Sequence, residues 1–249
     1  SILLKRLSLY PYVQLGVMVL FVLIVYFALI STKKAEQNKV WVGLSKETAH
    51  QLGTPISSLM AWMDLLESSG VDSSLLSDMN KDVNRLSVIA ERFSKIGSKP
   101  EMELIYVNEV LENATEYMRR RVSDKVLITT HLPSDAEGAM VCLSLFEWVI
   151  ENLCKNAVDA MNGEGRIDVY MTSEKQQIYI DIKDTGKGIA RKNFKTVFNP
   201  GYTTKKRGWG LGLTLAKRII EDYHAGRIYV KDSEVGKGTT FRIELKRVV

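Results

Sequence analysis

Glu151-Asn152-Leu153-Cys154-Lys155-Asn156-Ala157, Asp184-Thr185-Gly186-Lys187-Gly188-Ile189, Thr203-Thr204-Lys205 and Gly208-Trp209-Gly210-Leu211-Gly212-Leu213 follow one another along the second half of the chain, and reading them together decides the fold. Around the first block, Leu145, Trp148, Val149, Leu153, Ala157 and Met161 recur at three- and four-residue spacing. That spacing predicts a helix with Asn152 and Asn156 one turn apart on one face. Asn is a poor helix former, so two in mid-helix ask for a polar task. Their side-chain carbonyls are hard oxygen ligands suited to a hydrated Mg2+ shared with nucleotide phosphates, although on their own they also read as two solvated side chains. The second block ends an alternating run of Ile178, Ile180 and Ile182, which places Asp184 at a strand tip before two glycines. Glycine lets the backbone pass close to a ligand and a fixed carboxylate accepts from an exocyclic amine, the outline of a purine pocket. Thr203 to Arg207 is rich in hydroxyls and cations and leads through three alternating glycines into an amphipathic helix of Leu211, Leu215 and Ile219. Such a helix entrance presents unpaired N–H groups and a positive dipole end, where phosphates can lie.

Two other phosphate motifs are excluded. The G-x-G-x-x-G spacing of a dinucleotide fold is absent, and the glycine run follows a loop instead of a strand. Gly236-Lys237-Gly238-Thr239-Thr240 lacks the P-loop spacing and reads as a hairpin turn. In this order and spacing the four blocks resemble the N, G1, lid and G2 boxes of the gyrase-type (GHKL) ATPases. With Phe194 and Phe198 before the lid and Gly236-x-Gly238-Thr239 near the end, they resemble specifically those of sensor histidine kinases. The resemblance implies an α/β sandwich with ATP and Mg2+ held between a mixed sheet and helices under a mobile lid. By position it implies Mg2+ on Asn156 with Asn152 beside it, and the adenine amino group on Asp184. It further implies phosphates at Gly208, Gly210 and Gly212, with Gly186, Gly188, Thr204, Lys205, Leu213 and Thr239 around the nucleotide. One position departs from the pattern: many members carry Lys or Arg three residues after the Mg-binding Asn, and here Asp159 stands there. The phosphate-facing cation is then expected from Lys155, Lys205 or Arg207.

Of the three histidines, His50 has the distinctive setting, Glu47-Thr48-Ala49-His50-Gln51-Leu52-Gly53-Thr54-Pro55. A lone helix histidine is usually structural. This segment, however, resembles the H box of dimeric sensor kinases, in which Thr and Pro follow the phospho-accepting His by four and five residues. The resemblance thereby covers roughly residues 40 to 249 and implies transfer of the ATP γ-phosphoryl to His50, then to an Asp of a response regulator. Pro55 has no N–H for the Gln51 carbonyl, so a bend beside His50 is expected. Gln51 replaces the acidic residue that commonly follows the His, and Glu47, three residues earlier on the same face, is the candidate for the missing base, with Thr54 completing the site. His224 reads as a helix C-terminal cap before Gly226, and His131 carries no signal. The runner-up is a receptor-like scaffold with a degenerate site, acting as a regulator phosphatase or binding module. The intact Asn156, Asp184 and G2 glycines argue against it, and a free-standing gyrase-like ATPase or anti-sigma kinase needs no His50-x-x-x-Thr54-Pro55.

Composition agrees with a multi-domain chain: 249 residues, 45% hydrophobic and 25% charged, exclude wholesale disorder. The net charge of +5 is scattered among acids without an aromatic-basic patch, which argues against nucleic acid as a partner. Cys142 and Cys154 lack metal or redox spacing and fit reduced cytosolic thiols. Tyr12 to Ile30 is apolar apart from Gln14 and long enough for a bilayer core of roughly 30 Å. No cleavage site follows it, so a transmembrane helix is expected over 12–30 and a signal peptide is not. Basic residues flank both ends, and orientation follows instead from the nucleotide: an inner (cytoplasmic) membrane protein with its kinase domains in the cytoplasm. A start at Ser1 instead of Met reads as a fragment whose upstream sensor has been removed.

Residues 33–97 are expected to form the phosphotransfer hairpin. Ala49, Leu52, Ile56, Leu59, Met63 and Leu66 form one apolar seam, and Leu75, Met79, Leu86, Ile89, Phe93 and Ile96 a second. Two helices alone cannot bury both, so a homodimeric four-helix bundle is expected. After Gly97-Ser98-Lys99-Pro100 the ATP-binding domain occupies 100–249. Its expected helix is Val107 to Arg121, and its expected strands are Val126–Thr130, Ala139–Leu143, Arg166–Thr172, Gln177–Lys183, Arg227–Asp232 and Thr239–Leu245.

Overall fold

The computed structural model describes residues 2–70, 73–98, 100–205 and 210–248, and the chain divides into two compact units, Ser1–Ser98 and Lys99–Val249. The first unit is a helical hairpin of α1 (Ile2–Ser68) and α2 (Ser73–Gly97). Among the described residues, Tyr10–Lys33 is the helical stretch long and apolar enough to cross a membrane, and none of it is buried. α1 runs on through Pro55. Around Pro55, Thr54 Oγ1 donates to the His50 carbonyl (3.5 Å) and Ser58 Oγ to that of Thr54 (3.3 Å), back-bonds of the kind that accompany a bend in a helix.

The hairpin closes on Ile56 and Met63 of α1 against Val83 and Ala90 of α2, with Leu52 packed alongside and Leu76 also buried. Within one hairpin the expected seams are buried only in part, since two helices alone cannot bury both. Leu59 and Leu66 of α1 and Met79, Leu86 and Ile89 of α2 are exposed, and the heptad-spaced Leu76, Val83 and Ala90 face α1 in their place. α2 carries two adjacent apolar stripes, and spacing alone does not say which one meets the neighbouring helix. The side chain of Leu75 lies outside the described residues.

The second unit contains β1 (Glu103–Tyr106), α3 (Val107–Arg119), β2 (Val126–His131), β3 (Gly138–Val141), α4 (Leu143–Ala160), β4 (Gly165–Glu174), β5 (Gln177–Asp184), α5 (Gly212–Arg218), β6 (Arg227–Glu234) and β7 (Gly238–Lys246). Five strands make one mixed sheet in the order β2-β4-β5-β7-β6, parallel only between β2 and β4, and β1 pairs with β3 apart from it. Leu143 opens α4 instead of closing a strand, and β1, too short to alternate visibly, was not expected. On one face of the sheet Ile167, Val169, Ile178, Ile180, Ile182 and Ile243 are fully buried, as are Leu145, Phe146, Val149, Ile150 and Leu153 of α4. This gives a two-layer α/β sandwich, since a sheet and a helix each hydrophobic on one side are satisfied by one shared core. The other sheet face is polar, with Arg242 bidentate on Asp181 at 2.6 and 2.7 Å. Cys142 and Cys154 are free and buried; burial, helped by the Glu151 charge, pushes the Cys154 thiol up to about 12, which keeps it unreactive.

Candidate functional site

α4 is the wall on which the site is built. It starts at Cys142 without a side-chain cap; instead Nε2 of His224 accepts the Cys142 N–H at 3.0 Å. Its buried stripe, Leu145, Val149 and Leu153 among others, turns Asn152 and Asn156 to the opposite edge, where both are half-buried. Gly212, the first residue of α5, backs directly onto them. A Cβ there would stand 3.3 Å from Asn152 Oδ1 and 3.9 Å from Asn156 Nδ2, so a side chain at this position would press on the Asn152 amide.

The loop after β5 meets the other end of α4. Lys187 N–H donates to the Ala160 carbonyl at 3.0 Å, and a Cβ on Gly186 would come within 2.8 Å of the Ala160 backbone. Gly188 has φ +71° and its Cβ would collide with the Glu234 carbonyl at 2.1 Å, which bars any side chain. Between these glycines and β7 stands Asp184, 3% exposed. Its Oδ1 accepts from Gly186 N–H (2.8 Å) and Thr239 N–H (3.3 Å), and no bond to Oδ2 is formed among the described residues. Burial pushes the Asp184 carboxyl up, and the two N–H donors only partly counter it. The result is a buried carboxyl with one oxygen anchored and the other available to a donor such as an exocyclic amine. Thr239 also hydrogen-bonds Ser233 Oγ (3.0 Å), which accepts from Ile189 N–H (2.7 Å) and donates to the Gly238 carbonyl (2.8 Å). Ser233 therefore ties the loop after β5 to the β6–β7 hairpin, and nothing in its sequence context marked it. The hairpin itself is where the Gly236–Thr240 turn was expected.

The lid segment is closed at its base by the Gly201 N–H to Gly210 carbonyl bond (3.2 Å). Gly210 has φ +64° and no room for a Cβ, which would lie 2.5 Å from the Gly201 carbonyl carbon. Thr204 Oγ1 accepts from Lys187 Nζ at 2.8 Å. Lys205 Nζ reaches Asn156 Oδ1 at 3.1 Å and pairs with Asp159 Oδ2. Of the three cations expected to compensate for Asp159, Lys205 is thus the one at Asn156; Lys155 is exposed, and Arg207 lies outside the described residues with Gly208. Leu213 is half-buried on α5.

In the hairpin unit His50, Glu47, Gln51 and Thr54 are all on exposed turns of α1. A groove of about 720 Å³ between α1 and α2 is lined by His50 and Glu47 together with Ser87, Glu91 and Ser94. Gln51 Nε2 donates to Glu47 Oε1 at 2.7 Å, so the residue in place of the usual acid orients the candidate base one turn away.

Residues 141–249 match the family model described as histidine kinase-, DNA gyrase B- and HSP90-like ATPase. Sporulation kinase A of Bacillus subtilis (strain 168) is 26% identical over 220 residues, covering 86% of this chain and 36% of that protein. Sensor histidine kinase ZraS of Salmonella typhimurium is 26% identical over 226 residues, covering 87% of this chain and 48% of the relative. The chain thus spans about half or less of the curated relatives it matches. Among solved structures, histidine kinase ThkA in complex with response regulator protein TrrA superposes with a TM-score of 0.56 at 18% identity, over 87% of this chain and 64% of that one. The match to the histidine kinase-, DNA gyrase B- and HSP90-like ATPase model thus falls on the unit that holds Asn156, Asp184 and Gly212, and over most of its length the chain is similar to proteins named as sporulation and sensor histidine kinases.

Proposed function

We propose that the chain is an ATP-dependent protein-histidine kinase that phosphorylates His50 and passes the phosphoryl group to an Asp of a response regulator. The observation that carries this reading is the meeting of Asn152, Asn156 and Gly212, with the buried Asp184, in an ATPase-family domain joined to an exposed His50-x-x-x-Thr54-Pro55 helix. The named relatives are kinases, and ThkA was solved with its response regulator, which supports the second transfer.

Asp184 Oδ2 accepts the adenine amino group while Gly186 and Thr239 hold Oδ1. Gly186, Gly188 and Leu213 border the base and sugar, and Thr204, Gly210 and Gly212 line the phosphates at the α5 entrance. The residues fit a divalent cation: Asn156 Oδ1 already receives an ammonium, so this oxygen faces a cation position. Asn156 would hold Mg2+ with Asn152 beside it, and the ion when bound neutralises charge on the phosphate oxygens. An imidazole nitrogen of His50 attacks the γ-phosphorus. The N–P bond forms as the bond from that phosphorus to the β,γ-bridging oxygen breaks, and ADP departs. The proton on the other ring nitrogen passes to Glu47, which Gln51 orients. Thr54 lies in the turn that lacks the Pro55 N–H and donates to the His50 carbonyl. The apolar stretch within Tyr10–Lys33, expected to cross over 12–30, anchors the kinase in the inner membrane with residues 33–249 cytoplasmic, and two copies form the four-helix bundle.

Incubation with γ-labelled ATP should give label that is lost in acid and kept in base, as a phosphoramidate is. His50→Gln should remove it. Label at the wild-type level in His50→Gln would end this reading.

A further inference from the structure

The residue that breaks the family pattern, Asp159, is also the residue that holds the lid lysine. Asn156 and Asp159 are three apart on α4 and therefore neighbours on one face. Lys205 Nζ spans them, 3.1 Å from Asn156 Oδ1 and in contact with Asp159 Oδ2. One turn of helix thus presents an acceptor pair, a neutral amide oxygen and a carboxylate, and a single ammonium satisfies both. The neighbouring lid residue is held as well, through Lys187 Nζ to Thr204 Oγ1 at 2.8 Å. The oxygen that Lys205 occupies is the one assigned above to the divalent cation. An ammonium and a metal ion cannot share it at bonding distance, because the two positive charges would stand within a few Å of one another.

We propose that Asp159 is a positioning residue that parks the Lys205 ammonium on the metal-binding oxygen of Asn156 when no nucleotide is bound, so that lid and metal compete for one atom. The proposal rests on the assignment of Asn156 as the metal ligand. Two consequences separate it from a surface ion pair without function. Metal-bound nucleotide must break the latch, whereas metal-free nucleotide, recognised through Asp184, need not. The latch weakens binding only in the presence of metal. Lys205 and Asp159 act through one contact, so removing either has the same effect and removing both adds nothing.

The test is equilibrium binding of a non-hydrolysable ATP analogue to the full chain in detergent, with excess Mg2+ and with a chelator, which gives an affinity ratio independent of turnover. Asp159→Asn and Lys205→Met should each raise the ratio of metal-bound to metal-free affinity about two- to fivefold, the scale of a half-exposed ion pair. The double variant should equal the singles, and Asp159→Glu should restore the wild-type ratio. A ratio unchanged in both singles overturns the latch while leaving the site assignment standing. A ratio that falls in Lys205→Met overturns it too, since the ammonium would then be serving the phosphates. Wild-type binding that gains nothing from Mg2+ removes both the latch and the Asn156 assignment beneath it.

Discussion

Burial works against the charged form of Asp184. Its folded carboxyl is raised by burial, so the folded chain binds a proton more readily there than the unfolded chain does. Such a group stabilises the fold below its unfolded value, near 3.8, and that contribution is lost as pH rises through the folded value. Above the folded value the ionised side chain therefore opposes folding, and Asp184→Asn, whose amide oxygen can still accept from Gly186 and Thr239, should raise the melting temperature there. The gain should vanish in acid, where the wild-type group is neutral as well. Nucleotide affinity should fall about tenfold or more, because an amide nitrogen facing the adenine amine sets donor against donor. A variant that is no more stable at pH 7 and binds normally would contradict both halves. In the hairpin, Glu47 is held by Gln51 at 2.7 Å. If Glu47 takes the imidazole proton, Glu47→Gln should lower the initial rate of His50 phosphorylation at saturating ATP by tenfold or more, within the range of general-base help. An unchanged rate means the reaction runs without this base.

At the scale of elements, the helix that carries the asparagines and the helix that carries the glycines are fastened together by His224. α5 ends in a π-helical turn, Ile219–Tyr223, and the histidine after it is 6% exposed. Its Nδ1 donates to the Ile219 carbonyl at 2.7 Å and its Nε2 accepts from Cys142 N–H at 3.0 Å. One ring thus caps the end of the α5 segment and the start of α4. A protonated ring would carry a second N–H and lose the acceptor. Burial lowers the imidazole below its ordinary 6.5, outweighing the two backbone bonds. Stability from the neutral ring is therefore present above the unfolded value and declines as pH falls through it toward the lower folded value. The melting temperature of the ATPase unit should drop between about pH 7 and pH 5.5. His224→Gln should melt lower but with a flatter profile. An identical slope in both proteins would show that His224 does not govern it.

For the whole molecule the question is what covers the hairpin. Leu59, Met60, Trp62, Leu65, Met79, Leu86, Val88 and Ile89 are all exposed on it, with Trp62 at 64%, beyond the scattered apolar residues of an ordinary surface. A second hairpin supplies the matching face, so the segment from Lys33 to Val249 should be a dimer by light scattering at micromolar concentration. Met79→Asp with Leu86→Asp should give a folded monomer, because those side chains lie outside the internal seam. Val83→Asp should unfold the hairpin, because that position is inside it. A wild-type monomer refutes the assembly.

Periodicity and motif spacing were enough to place α4, most strands of the sheet and the turn at Gly236–Thr240, because each depends on local rules of side-chain alternation, helix facing and glycine geometry. What those rules do not contain is which surface meets which. The α2 stripe that packs inward, Leu76, Val83 and Ala90, was chosen by fit against α1 over an equally apolar stripe beside it. Ser233 joined the site through a hairpin that brings it to Ile189 across 44 residues. Lys205 found Asp159 across 46, a contact that no spacing along the chain announces. His224, a cap in sequence, became a clasp because the fold delivers Cys142 N–H to its free nitrogen from 82 residues away. In each case the residue type was readable along the chain, and its partner existed only once the chain had closed around a shared core.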